Sequence, residues 1–172
     1  MSSDVVISPF APQHAAQVRA LFIAINRLLS PRHMRDAFEA YIERSLTEEI
    51  DRIGEYYNER DGGFWVALKG DNVVGMFGLE RVSTSSLELR RMYVDPSAQR
   101  GGIARRMLQY AEAECRRRHI SRLELSTSEL QEAALGLYRS AGYTLMREET
   151  AVDASNKTVG SGIRRYYFEK LL

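Results

Sequence analysis

Met92-Tyr93-Val94-Asp95-Pro96-Ser97-Ala98-Gln99-Arg100-Gly101-Gly102-Ile103-Ala104 is an apolar strand, a proline-stopped turn and a glycine pair that opens straight into a helical pattern. That order builds an anion site. A helix N-terminus presents unpaired N–H groups and a partial positive charge, and glycines at 101 and 102 let a phosphate reach the main chain. Two phosphate loops are excluded. The dinucleotide fingerprint needs a third glycine and an acidic residue about 20 positions on, closing a second strand, and the later Leu123-Glu124-Leu125-Ser126 does not end on one. The P-loop needs Gly-Lys-Ser/Thr, whereas Ile103 and Ala104 follow Gly102. A plain strand-to-helix turn that uses glycine for φ > 0 fits the loop equally well on its own.

Outward from this stretch, 86–94 reads as the strand leading in. The helix leading out carries Ile103, Met107, Ala111 and Cys115 on one face, with Arg105, Gln109, Glu112 and Arg116 opposite. Glu112 with Arg116 and Glu114 with Arg118 are expected i, i+4 pairs. Upstream, 5–7 is a short strand, Ala15, Val18, Phe22, Ile25 and Leu29 mark a helix, and Phe38, Tyr41, Ile42, Leu46, Ile50 and Ile53 mark a second helical region. Runs 64–68 and 73–79 form a hairpin across Lys69-Gly70-Asp71-Asn72. Downstream follow a strand at Leu123 and Leu125, a helix over 130–140 stopped by Ala141-Gly142, and strands 143–150 and 163–170 around a polar loop, 153–162. The order is β-α-α-β-β-β-α-β-α-β-β: a mixed α/β sheet of about seven strands with about four helices.

The 172 residues are 44% hydrophobic and 27% charged, which suits one buried core, so 1–172 is expected to be a single domain. Lys and Arg number 24 against 23 Asp and Glu, a net +1, and no global charge calls for nucleic acid or a membrane surface. Arg116-Arg117-Arg118 spreads around a helix as a solvated face. One cysteine, Cys115, excludes an internal disulfide and fits a reducing cytoplasm; its apolar face predicts packing rather than nucleophilic chemistry. His14, His33 and His119 lack ligand spacing, so no metal site is read. The first residues carry no basic head or apolar signal core, and no segment reaches membrane-spanning length, so a cytoplasmic protein is expected.

Gln99-Arg100-Gly101-Gly102-Ile103-Ala104 has the form Gln/Arg-x-x-Gly-x-Gly/Ala and resembles the acetyl-CoA loop of the GNAT superfamily of N-acetyltransferases. A second block, Leu125 through Tyr143 with Ala134-Leu135-Gly136-Leu137-Tyr138 before Gly142-Tyr143, is similar to the family's helix with Ala-x-x-Leu-Tyr ahead of Gly-Phe/Tyr. The element order matches the GNAT fold, and the resemblance covers essentially the whole chain.

The resemblance implies acetyl-CoA as co-substrate and assigns roles residue by residue. Tyr138 would reach the CoA sulfur. A thiol has a pKa of about 8.5 and a phenol about 10, so a hydrogen bond or proton from Tyr138 would stabilise the leaving thiolate; packing beside Leu135 and Leu137 is the other reading. Met92, Tyr93 and Val94 would run along the pantetheine arm, the main-chain groups of Met92 and Val94 pairing with it and the N–H near Met92 polarising the acetyl carbonyl. Gln99, Arg100, Gly101, Gly102, Ile103, Ala104 and Arg105 would wrap the diphosphate, with Arg105 or Arg106 near the 3′-phosphate. Gln131 stands where many members carry asparagine, seven residues before the tyrosine. Its longer amide is a candidate for the pantetheine side, or a surface glutamine.

Glu88, four residues before Met92, is the candidate base, directly or through water, and a salt bridge to Arg90 or Arg91 is the alternative. Arg90 and Arg91 are candidates for a substrate carboxylate, with surface ion pairing as the plainer reading. Phe38, Tyr41, Tyr56, Tyr57 and Trp65 are available acceptor-pocket walls, though aromatics at helical spacing usually pack a core; loop 153–162 would form a lip. The expected activity is direct transfer, without metal, of acetyl from acetyl-CoA to a primary amine of a small molecule such as an amino acid or its conjugate. Acetylation of a protein lysine or N-terminus would instead need an open, peptide-wide groove, and a non-catalytic acyl-CoA sensor would bind without turnover. A homodimer stays open, with 164–168 as a candidate pairing edge.

Overall fold

The computed structural model describes residues 4–172; Met1, Ser2 and Ser3, the start of the segment read for a leader, lie outside the described residues. Among the described residues there are seven strands: β1 (Val5–Pro9), β2 (Gly63–Lys69), β3 (Asn72–Arg81), β4 (Ser86–Val94), β5 (Arg122–Ser128), β6 (Thr144–Ala151) and β7 (Ile163–Leu171). They form one sheet in the order β1-β2-β3-β4-β5-β7-β6, antiparallel except for the β4–β5 pair. The helices are α1 (Ala15–Leu29), α2 (Arg35–Glu48), α3 (Ile53–Glu59), α4 (Ile103–Arg117) and α5 (Glu132–Ser140). The mixed α/β sheet expected from the sequence is thus present, with one helix more. The second helical region divides at Glu49, whose φ of −140 and ψ of −60 end α2 and lead into a 3-10 turn at Ile50–Arg52.

Period-2 alternation divides the core between the two sheet faces. Phe64 and Val66 of β2 and Met76 of β3 pack with Phe22, Phe38, Ile53 and Tyr57 from α1–α3. Trp65, Ala67, Phe77 and Leu79 face the other way, onto Met107, Ala111 and Cys115 of α4. Trp65 stacks on Phe77 there, with ring centroids 5.3 Å apart, so it is a core residue of the α4 face and not a wall of an acceptor pocket. Cys115 is fully buried in that layer and burial pushes its thiol up to about 11, as its packing role predicts.

Two expected pairings differ. Glu112 is buried rather than solvent-facing, and it takes Tyr143 Oη at 2.8 Å and Lys170 Nζ at 3.2 Å in place of Arg116. Glu114 does bind Arg118, at 2.7 Å. Strand β7, offered as a pairing edge, lies inside the sheet between β5 and β6, and β6 is the edge.

Gly78 of β3 sits under the Tyr57 ring: a Cβ there would lie 2.7 Å from ring carbons and 2.8 Å from the hydroxyl. Gly78→Ala is therefore expected to lower stability by about 1–3 kcal/mol, read as a reduced midpoint in urea or thermal melts.

Candidate functional site

Strands β4 and β5 pair only over Ser86–Leu89 and Arg122–Leu125. Beyond Leu89 the first keeps to β3, beyond Leu125 the second keeps to β7, and the two part. The gap is floored by Leu89 to Tyr93 and Ser126 to Ser128 and roofed by Asn26, Phe38 and Tyr41 from α1 and α2. Gln131, Tyr138 and the loop residues Lys157 to Val159 close its sides, around ≈ 870 Å³ of atom-free space that includes the open mouth.

A bulge in β4 shapes this cleft. Gly78 pairs with Arg90 and Met76 with Tyr93, so Arg91 and Met92 together oppose Phe77. Arg91 takes φ +56, a left-handed conformation that costs about 1–2 kcal/mol for a residue with a Cβ. In a regular strand Arg90 and Arg91 would point to opposite faces; the bulge turns both toward α2. It also shifts the alternation downstream, so that Tyr93 faces Phe22 of α1 while Met92 and Val94 face the α4 layer.

Both arginines meet at Glu49, which is 0% exposed. Arg91 Nε and Nη2 lie 3.0 and 2.9 Å from its oxygens, Arg90 Nη2 3.1 Å away, and Tyr57 donates from 2.6 Å. Tyr41 Oη accepts from Arg91 at 2.6 Å, Tyr56 Oη accepts from Arg90, and Glu80 takes Arg90 at 3.1 Å. The expectation of surface ion pairing at Arg90 and Arg91 is therefore corrected: each is 7% exposed and held in a buried network. Burial pushes the Glu49 carboxyl up, but the charges of Arg91 and Arg90 and the hydrogen bonds from Arg91 and Tyr57 overcome it and hold its pKa below the ordinary value. Of the aromatics suggested as walls, Phe38 and Tyr41 line the cleft, while Tyr56 and Tyr57 stand behind it as partners of the network.

Glu88 lines the cleft but does not pair with Arg90 or Arg91. Its carboxylate lies 3.0 Å from Lys157 Nζ, which also reaches Glu80 at 3.2 Å. Tyr138 is 5% exposed, with Tyr143 and Phe168 rings each 6.0 Å away. Burial, and then the neighbouring Tyr93, push its phenol above the ordinary value, and no hydrogen bond from another side chain contributes. The Tyr138 hydroxyl thus stays protonated through the neutral range, with its proton free for a ligand. Gln131 also borders the cleft, accepting from Thr127 Oγ1 at 3.1 Å.

At the far end of β4, Pro96–Gly101 forms a 3-10 turn that Asp95 caps through Ser97 N. Gly102 then opens α4 at φ +75, with no side-chain cap on the helix N-terminus, and a Cβ placed on it would meet nothing within 4 Å. Uncapped N–H groups beside open space fit a diphosphate. Gln99 Nε2 is 3.3 Å from the Val94 carbonyl, Arg105 reaches Ser140 Oγ at 2.8 Å, and Arg106 is committed to the Val5 carbonyl at 2.8 Å. The structure thus brings Glu88, Arg90, Arg91, Met92, Tyr93, Gln131, Tyr138 and Tyr41 into one cleft. Val94 and 99–105 lie on the strand-to-helix stretch that continues from it.

Glu49, Glu80, Asn156 and Lys157 went unrecognised in the sequence. A signal existed for Glu49 alone, which follows Tyr41, Ile42 and Ser45 at helical spacing on the buried face, a charge in phase with an apolar stripe. Asn156 and Lys157 sit in a polar loop without periodicity.

The arrangement is that of an α/β domain with a ligand cleft between two parting parallel strands, led by a glycine-opened helix. Residues 28–143 match the family model described as the Acetyltransferase (GNAT) family, and the chain belongs to that family. N-acetyltransferase 8 of Homo sapiens is 32% identical over 109 residues, covering 60% of this chain and 48% of that protein. N-acetylaspartate synthetase of Homo sapiens is 32% identical over 120 residues, 66% of this chain and 38% of that protein. The chain spans about half the length of these relatives or less. PaiA N-acetyltransferase of Thermoplasma acidophilum, solved in complex with coenzyme A, superposes with a TM-score of 0.75 at 14% identity over 98% of this chain and 99% of that one, a likeness of fold. Among the described residues no helix is long and apolar enough to cross a membrane.

Proposed function

We propose that the chain, acting as one domain, transfers the acetyl group of acetyl-CoA directly to a primary amine of a small molecule. One observation carries this reading: Glu88 and Tyr138 line the same cleft between the parted strands, a candidate base and a candidate thiolate partner bordering one space. The donor supplies an activated acetyl thioester. Uncapped N–H groups at the start of α4, with Gln99 and Arg100 beside them, would hold its diphosphate, and the parted stretch of β4 with Gln131 would flank its arm. Glu88 takes one proton from the substrate ammonium, the freed nitrogen bonds to the acetyl carbon as the carbon–sulfur bond breaks, and the second nitrogen proton leaves with the sulfur as CoA thiol. The Tyr138 phenol, pushed above the pKa of a thiol, keeps its proton and donates a hydrogen bond to the departing sulfur.

The test is CoA release across a panel of amines and peptides. Glu88→Gln should lower kcat/KM at neutral pH by about 10- to 100-fold, since a free amine needs only part of the help a base provides. The loss should shrink as pH rises and the free amine accumulates. Bound acetyl-CoA without turnover on any acceptor would overturn the reading.

A further inference from the structure

We propose that the acceptor is an amine bearing its own carboxylate, and that Asn156 and Lys157 of the β6–β7 loop occupy the places of its two charged ends. The proposal rests on the acetyltransferase reading and names its substrate class.

The two loop residues are consecutive and each engages one half of the cleft's charge. Asn156 presents its backbone carbonyl to Arg90 Nη2 at 3.2 Å and to Arg91 Nη2. Lys157 presents an ammonium to Glu88 at 3.0 Å. A carbonyl oxygen and an ammonium on guanidinium and carboxylate partners are what a zwitterionic amine would offer at the same points.

The two stand-ins differ in quality. The partner these two guanidinium groups take from the loop is one neutral carbonyl, and a charged acceptor at that point would make shorter and roughly twofold stronger hydrogen bonds. The carboxylates that balance the arginines do not fill that place: Glu49 and Glu80 stand behind them, and neither lines the cleft. Facing the cleft, Glu88 is a lone carboxylate against Arg90, Arg91, Lys157 and Arg165. An amine with no carboxylate would offer those guanidiniums nothing in place of the loop carbonyl, which would then stay where it is.

Lys157 makes the exchange cheap at the other end. An incoming ammonium replaces the Lys157 ammonium on Glu88, one charge for another, and arrives on the group that takes its first proton, while Glu80, the second partner of Lys157, keeps Arg90 at 3.1 Å. The loop that gives way is tied in by Asn156 Nδ2, 3.3 Å from Glu49 and 3.2 Å from Tyr56 Oη. It is closed on itself at Gly160, where a Cβ would lie 2.8 Å from Val152 O and Asp153 C, and Val159 anchors it in the core, so the exchange moves residues 155–158.

The experiment compares amino acids, α and ω, with their primary carboxamides as acceptors for the whole protein. A carboxamide keeps the shape and removes the charge. It also lowers the ammonium pKa, so amine reactivity alone would favour it. At least one acid should exceed its amide by about 10- to 100-fold in kcat/KM, the size of a charge-assisted hydrogen bond. Lys157→Ala should lower KM for that acid several-fold, and Arg90→Gln should erase the preference for acid over amide. Calorimetric titration with the N-acetyl acid and the N-acetyl amide reads the same preference without turnover, and the wild-type comparison stands should Arg90→Gln not fold. Amides or peptides turned over as well as the free acids would overturn the carboxylate assignment and leave acetyl transfer intact. Failure of every amine to release CoA would overturn the acetyltransferase reading. The titration would then judge the carboxylate site alone, and equal binding of acid and amide would overturn it.

Discussion

Glu49→Ala should cost about 3–5 kcal/mol of folding stability, the size expected when one partner of a buried ion pair is removed. For a chain of this length that is a fall of roughly 10 °C in melting temperature. The effect is large because Glu49 is shared by two buried arginines and also accepts from Tyr57. Arg90 would keep Glu80, but Arg91 would keep only Tyr41, Ser45 and the Asn156 carbonyl, all neutral. Glu49→Gln, which keeps an acceptor and drops the charge, should cost less. The sign of the pH dependence follows from the depressed carboxyl pKa. Glu49 contributes fully above the ordinary carboxylate value of 4.5, and the contribution is lost as pH falls through its lower folded value. The stability gap between wild type and Glu49→Gln should be widest near neutrality and close progressively below about pH 4.5. Urea melts at several pH values measure it. A Glu49→Ala protein that melts with wild type would mean that water or the loop rescues the arginines.

Tyr138→Phe should lower kcat by about 10²- to 10³-fold, the usual penalty for removing one preorganised donor from a site of developing charge. Stability should hardly change, because the ring keeps its contacts with Tyr143 and Phe168 and the hydroxyl has no side-chain partner to lose. Acetyl-CoA affinity should be preserved, since the sulfur carries little charge until it departs. That separation of kcat from binding and melting distinguishes a thiolate partner from a core tyrosine. Unchanged kcat beside an unchanged melt would return Tyr138 to packing.

The strand-to-helix loop at 99–104 and the Tyr138 helix were legible because each depends on a short run of residues whose periodicity and glycine placement are local. The arginine-lined side of the cleft was not. Arg90 and Arg91 are neighbours in a strand, and alternation sends neighbours to opposite faces; only the bulge at Arg91 brings both to Glu49, 42 positions from Arg91 in the chain. The alternative reading of Glu88, a pair with Arg90 or Arg91, failed for a related reason. Buried arginines are claimed by deeper carboxylates, and Glu88 is left to a lysine from a loop 69 positions on.

The sequence by itself determined the sheet-and-helix order and, through two short motifs, the family, because backbone periodicity and helix-end chemistry are set within a few residues. Only the tertiary structure decided which charges face the cleft and which stand behind it. The partner of a buried charge is chosen by desolvation and by whatever distant group packs against it, and neither quantity is written in local spacing.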